Sequence, residues 1–599
     1  MKLVTAERLE QIRRVGGRVL ASAGLRGYMQ RHLAGLRGRM KAKEQELKDA
    51  QARQSSLGSL VEDLRGLAAG VHPHEALDTS APRVLLFTGW AWFRQMPLVD
   101  GLLFHALRQR QAECTAVLCG EALPACEVQT VTMDSSEALL SRGRPKICAS
   151  CVGDGKQIFA ALGVPFRTMS GVLRPADYRR AREIVSNIPY EEYFDYRHDG
   201  VAVGAHAQAT LMRYLLSGHL SDGPIDRGLA ERFMVSALLV WESARRLIEE
   251  LEPDVIVANH GIYNMSGVFG DVAANYGVRT VAWNRGYRKH TVILSHGKSY
   301  HYEMMDEPTS EWESRELTAH ERSRLNEYLA SRNRGGMDWI TYHPNPIEDR
   351  DVLIDSLRLD TARPIVGLFT NVNWDAQIAY PQNAFRNQVS WLIQTIEHFA
   401  TRPDLQLVIR VHPAETKDMD ISRQRMTDEI QAVFPALPEN VHVIPPESDL
   451  SSYTLADLID VGIVFATKFG LEMSVRGVPV VVAGDAWIRG KGFSYDASSP
   501  EQYAQILRRI DLLPRLSPRV VERAQVYAHH FFFRRSIPVP VDLGDMPMGA
   551  SEYVGLGNLD ELQPGRNRAI DVICSGILTG TPFVFDEVLV GDHSELTIK

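Results

Sequence analysis

Apolar positions between residues 83 and 120 come in short unbroken runs. RVLLFTG (Arg83–Gly89) and CTAVLCG (Cys114–Gly120) each end in glycine, and MPLVDGLLFHALRQR (Met96–Arg110) between them has helical spacing. Apolar, β-branched strands alternating with helices predict a parallel sheet covered on both faces. PDVIVANHGIYN (Pro253–Asn264) reads as a strand, a polar loop and the start of a helix, and RTVAWNRGYRKH (Arg279–His290) repeats that form. Pro175–Glu250 is helical throughout and enters between these strands as an insertion or cap.

The alternation restarts near Pro364. PIVGLFTNVNWDA (Pro364–Ala376) is a strand and a polar loop, followed by a helix over Asn387–Ala400 and the strand of LQLVIRVHPAE (Leu405–Glu415). VHVIPPES (Val441–Ser448) adds a short strand, and Ser451–Gly484 reads helix, strand, loop, helix, strand. A helix over roughly residues 501–534 follows. Residues 1–75 are helical in composition, with Gly16, Gly17, Gly24 and Gly27 interrupting any single rod, and VHPHEALDTSAP (residues 71–82) is a linker.

The chain therefore divides into a helical extension (1–75), a Rossmann-like unit with a helical insertion (83–345), a second Rossmann-like unit (350–500), and a C-terminal helix and tail packing back on the body (501–599). The expected fold is α/β: two Rossmann-like domains facing across a cleft, the GT-B architecture, with a helical N-terminal extension.

Composition narrows the classes. A length of 599 residues exceeds a single core, and a net charge of −8 is the wrong sign for a nucleic-acid binder. No apolar run reaches the roughly 18 to 20 residues that span a bilayer. MKLVTAERLEQIRR has no apolar secretory core, and six cysteines in so long a chain do not make a disulfide scaffold. The expectation is a cytoplasmic protein. Arg8, Arg13, Arg14, Arg18, Arg26, Arg31, Arg37, Arg39, Lys41 and Lys43 make the extension basic. That charge suits peripheral contact with the inner membrane or self-association, and equally a solvated arm.

Candidate chemistry gathers at strand ends, where open α/β sheets bind ligands. Arg410, His412, Pro413 and Glu415 follow the run Leu407–Ile409. Arginine pairs with phosphate, imidazole bridges phosphate and ribose oxygens, and proline stops the strand. Thr467, Lys468 and Gly470 link a buried strand to a helix that favours phosphate, and Glu472 in its first turn suits ribose hydroxyls. Asn371 and Asn373 lie in the loop after the first strand of the second unit, as donor ligands or as turn residues. On the first unit, His260 directly follows a strand and precedes Gly261, a position suited to a general base. Asp100 and Glu303 are weaker candidates. Arg285, Arg288 and His290, with Lys289, His296 and His301, form a basic, imidazole-rich run suited to an anionic acceptor. Cys119, Cys126, Cys148 and Cys151 conceivably make a four-thiolate zinc site. The Cys119–Cys126 spacing is too long for a zinc knuckle, so packed, reduced thiols are expected and no metal is assigned.

Residues 410–415 (RVHPAE), 451–472 (SSYTLADLIDVGIVFATKFGLE) and 476–484 (RGVPVVVAG) together resemble the donor domain of bacterial capsule and surface-polysaccharide glycosyltransferases carrying an HP motif. TNVNWDAQ, YAHHFFFRRSIP and DVICSGILTG resemble other segments of that family. The likeness covers about residues 250–600 well, residues 83–250 loosely, and the N-terminal extension not at all. It implies transfer of a sugar from a nucleotide donor to a surface-glycan or lipid-linked acceptor. His260 and His412 would then be catalytic, and no cofactor would be needed. It weakly favours a CMP-activated acidic sugar over a UDP donor. Where the family favours Ser-Ser/Thr-x-x-Gly-Leu-Glu, this chain has Ala466, Thr467 and Lys468, so the contacts there differ. A non-hydrolysing sugar-nucleotide epimerase, a CDP-polyol phosphotransferase and a non-catalytic export component are the alternative readings.

Overall fold

The computed structural model describes residues 48, 51–69, 78, 80–343, 345–375, 382–417, 421–544 and 551–587. Residues 1–63 and residues 64–599 form two compact units. In the first, residues 51–63 are helical; the basic positions from Arg8 to Lys43 lie outside the described residues, as do linker residues 71–77. No described helix is long and apolar enough to cross a membrane.

The second unit holds two large sheets and a two-stranded ribbon, Val541–Asp542 paired with Glu552–Tyr553. One contains β1 (Arg83–Gly89), β2 (Glu113–Leu118), β3 (Phe166–Thr168), β4 (Val255–Asn259), β5 (Arg279–Arg285) and β6 (Thr291–His296). Its order is β3-β2-β1-β4-β5-β6, and its strands are parallel as far as β5. The other contains β7 (Ile365–Phe369), β8 (Gln406–Arg410), β9 (Val441–Ile444), β10 (Val461–Val464), β11 (Val480–Val482) and β12 (Tyr495–Asp496). It is parallel throughout in the order β9-β8-β7-β10-β11-β12. In each sheet the strand order reverses beside the first strand, between β1 and β4 and between β7 and β10, and that switch opens a crevice beyond the strands' carboxyl ends.

The buried runs explain the strands. Leu407, Val408 and Ile409 are each fully buried, as are Val480, Val481 and Val482. Central strands covered on both faces tolerate no polar alternation. The helix Gln388–Ala400 starts at Asn387, whose side chain accepts from the Ser390 N–H. Between β3 and β4, the insertion folds into helices that include Val203–Leu215 and the long Pro224–Leu251, which share one core with the first sheet.

Two expectations need correction. The form of Pro253–Asn264 does not repeat after β5. Instead the chain turns through residues 286–290 into β6, antiparallel to β5, with Trp283 opposite Leu294. The run Thr291–Leu294, β-branched as far as Ile293, supplies that strand, and all four residues are buried. The helix expected over residues 501–534 is broken into Pro500–Leu507, the 3-10 turn Ile510–Leu512 and Pro518–His529. Pro514 and Pro518 lack the N–H that a continuous helix needs. Past Pro518–His529, a π-turn at His530–Arg534 leads into β13 (Ile537–Pro538), which pairs with β6. The chain thus returns from the second sheet to complete the edge of the first.

Candidate functional site

A cavity opens at the carboxyl edge of the second sheet. It encloses about 940 Å³, counting solvent at its mouth. Arg410, His412, Thr467, Lys468 and Glu472 all line it, so residues from 410 to 472 converge on one space. Its other wall is the segment between the two sheets, including Arg332, Tyr342 and His343.

His412 leaves β8 and caps the 3-10 turn Pro413–Glu415. Its backbone N–H donates to the Thr370 hydroxyl at 3.0 Å. Its Nδ1 accepts the Ala414 N–H at 3.2 Å, so the neutral ring carries its proton on Nε2. Burial, reinforced by Lys468 and Arg410, pulls its pKa down to about 3. At neutral pH His412 is therefore a neutral hydrogen-bond donor, with Tyr342 packed edge-on at 5.2 Å.

The two arginines of the cavity are already committed. Arg410 is 2% exposed and donates to the Pro445 carbonyl (2.7 Å), the Ser448 carbonyl (3.1 Å) and the Ser452 hydroxyl (3.2 Å), and it also contacts His343. It ties the loop after β9 to the end of β8. Burial lowers its pKa to about 10. Arg332 donates to Glu472 at 3.1 Å, to the Tyr328 hydroxyl at 2.8 Å and to Asp338. Glu472 also accepts from the Tyr453 hydroxyl at 2.6 Å. The carboxylate expected to meet ribose is thus bonded within the protein, to two residues that sequence reasoning did not single out as site residues.

Lys468 differs. Its amine lies 3.8 Å from the centre of the Tyr287 ring, and burial, then Arg332, lowers its pKa to about 7. Thr467 accepts the Phe469 N–H on its hydroxyl. Gly470 is a packing position: a Cβ there would lie 2.7 Å from Ile488 Cδ1. It does not line the cavity, and neither do Asn371, Asn373 or Glu415. Asn371 bonds the Ala466 carbonyl across the crevice at 3.3 Å, and Asn373 bonds Gln424 at 3.0 Å. Both leave a buried side-chain oxygen without a hydrogen-bond partner among the described residues. Glu415 is fully buried, accepts the Met426 N–H at 3.1 Å and has its pKa pushed up by burial to about 8.

His260 sits at the matching edge of the first sheet. Its φ is +71° and that of Gly261 is +80°, two left-handed residues in succession. A histidine held there is strained. Burial keeps its pKa well below the ordinary value, and its Nδ1 is buried without a hydrogen-bond partner among the described residues. Tyr263 and His301 pack on it at 4.8 and 6.0 Å. The two edges meet here: the Tyr263 hydroxyl donates to Asp375, in the loop after β7, at 3.2 Å. Arg213 lies 3.8 Å from the same carboxylate and over the Trp374 ring. Glu127, unmarked in the sequence, accepts from Trp90 Nε1 and the Met265 N–H, and burial raises its pKa to about 7.

The basic run does not line this cavity. Arg285 stacks on Trp339 at 4.1 Å. Arg288 donates to the Phe532 and Ser536 carbonyls, and His290 lies 3.3 Å from the Val541 carbonyl. Arg288 and His290 hold the β5–β6 turn against the returning C-terminal segment. Asp100 accepts from Trp283, and Glu303 accepts from His296 N–H and Arg535. All six cysteines are free, and no group of three or more His, Cys, Asp or Glu among the described residues could hold a metal.

Two Rossmann-type sheets joined at their carboxyl edges, with the chain returning from the second to the first, define a GT-B fold. Residues 290–514 match the family described as capsule polysaccharide biosynthesis protein. No protein of curated function matches the chain. Among solved structures, the chain is similar to a KpsC β-Kdo 2,4 transferase of Thermosulfurimonas dismutans (13% identity, 57% of this chain, 88% of that one, TM-score 0.30). It is also similar to the β-Kdo 2,7 transferase of that KpsC (14%, 48% and 79%, 0.27). A third is a UDP-GlcNAc 2-epimerase of Methanocaldococcus jannaschii (9%, 74% and 98%, 0.26). Similarity this low carries no activity across.

Proposed function

We propose that the protein is a glycosyltransferase of capsule or surface-polysaccharide synthesis, holding a nucleotide-sugar donor in the cavity of the second sheet. The observation that supports this best is the pairing of a neutral, proton-donating His412 with the amine of Lys468 on one cavity wall. In transfer, the bond from the sugar's anomeric carbon to the donor phosphate breaks as a bond to the acceptor hydroxyl forms. Charge grows on the leaving phosphate, and preorganised donors placed there lower the barrier. His412 Nε2–H and Lys468 would supply them. Arg410 and Glu472 would act by holding the cavity walls. His260, kept neutral by burial, would take the proton of the acceptor hydroxyl. The acceptor is a glycan or lipid-linked saccharide. Preference for a CMP-activated acidic sugar rests on the sequence resemblance alone.

Incubation with CMP-, UDP-, GDP- and CDP-linked donors, measuring nucleotide release with and without glycan acceptors, tests the reading. Acceptor-dependent release is expected with one donor class. Epimerised donor without any acceptor would replace the reading with a sugar-nucleotide epimerase, and release of no nucleotide from any donor would remove it.

A further inference from the structure

Arg332, Arg410 and Lys468 line the cavity, and the two arginines are spent. Arg410 is bonded to two carbonyls and a hydroxyl, and Arg332 to Glu472, Tyr328 and Asp338. Lys468 has neither a hydrogen bond nor an ion pair among the described residues, only the face of Tyr287 at 3.8 Å. Resting on this nucleotide-donor reading, we propose that Lys468 is the cavity's anion contact and that it binds phosphate together with a proton drawn from solvent.

The groups around the amine are few. Tyr287 comes from the β5–β6 turn, Arg332 and Asp338 from the segment between the sheets, Glu472 from the helix that follows Lys468, and His412 from the end of β8. The two carboxylates favour the ammonium, but both are already bonded to Arg332. Burial and Arg332 outweigh them and hold the amine down to about 7. His412 is neutral in the same range. A ring face attracts an ammonium more weakly than water or a carboxylate does, so the empty cavity is a poor home for the charge.

A phosphate changes that balance. One or two negative charges against the amine restore its affinity for a proton, so the complex holds more protons than the empty protein above pH 7. The sign follows: affinity is highest at and below pH 7 and falls as pH rises, by up to about tenfold per pH unit. Ligand titration does not confuse the measurement above pH 7.5, because a terminal phosphate has already lost its second proton near pH 6.

Calorimetric titration of the full chain with CMP, UMP, UDP and GDP at pH 8.0, in buffers of different ionisation enthalpy, reads the proton count directly. Uptake of about 0.5–1 proton per bound nucleotide is expected. Lys468→Met should lose the uptake and weaken binding on the order of 10- to 100-fold. Lys468→Arg, whose guanidinium is always charged, should bind with no uptake and a flat pH profile. Nucleotide binding without proton uptake in the unmodified protein, or uptake persisting in Lys468→Arg, overturns the inference while leaving the donor cavity standing. Failure of all four nucleotides to bind overturns the cavity reading and this inference together.

Discussion

His412 and Glu415 stand three residues apart and are shifted in opposite senses by one cause. Burial disfavours charge, so the imidazole falls to about 3 and the carboxyl rises to about 8. One edges a cavity and the other is sealed beneath a turn. For Glu415 the folded value lies above the unfolded value of about 4.5. Its contribution to stability is therefore fully present below pH 4.5 and is lost as pH rises through 8. Glu415→Gln keeps an oxygen for the Met426 N–H and removes the titration. Relative to the unmodified protein, the variant should gain stability steadily from pH 5 to 8, reaching about 2–4 kcal/mol, read from urea midpoints. A difference that stays constant with pH would show that Glu415 is ionised in the native state.

Elements decide which of the marked cations are available for ligands. Arg285, Arg288 and His290 lie within six residues of chain, and by sequence they read together as acceptor contacts. The β5–β6 hairpin instead turns Arg288 onto carbonyls of the π-turn and the residue before β13, and it stacks over Phe533 at 4.6 Å. Arg288→Ala leaves two carbonyls unpaired and loosens the strap that returns to the first sheet. A stability loss of about 1–3 kcal/mol is expected, with faster proteolysis around residues 530–541. An unchanged melting curve, with acceptor use impaired, would return Arg288 to the acceptor site. At the crevice of the second sheet, the loops after β7 and β10 are joined by Asn371 and Ala466, and the order of the strands alone predicts that meeting.

Across the whole molecule, one cluster of polar groups joins the loops at the two sheet edges, beside an apolar core that both halves share. Tyr263 and Arg213 on one side meet Asp375 and Trp374 on the other. Tyr263→Phe retains the ring and deletes the bond to Asp375. Closure of such clefts completes catalytic sites, so turnover should fall by about three- to tenfold while nucleotide affinity stays within about twofold. Small-angle scattering should report a larger radius of gyration for the variant. Turnover and radius both unchanged would mean that this contact does not govern closure.

The sequence by itself determined the strands and where polar chemistry leaves them. Runs such as Leu407–Ile409 and Val480–Val482 have no stable place except between helical layers, and the residues after such strands face the crevice. That much marks Arg410, His412, Thr467, Lys468 and Glu472 as strand-end residues, and all five line one cavity. Only the tertiary structure decided which of them remain open to a ligand. Arg332 and Tyr453 carry no local mark, yet they consume Glu472; carbonyls of Pro445 and Ser448 consume Arg410. β6 likewise depends on pairing partners in other segments, whereas the helix break after residue 507 is written locally, in Pro514 and Pro518. Pattern along a chain records burial, because burial is paid for residue by residue. Hydrogen-bond partners are chosen between segments, so the free amine of Lys468 became visible only when its competitors were found already bonded.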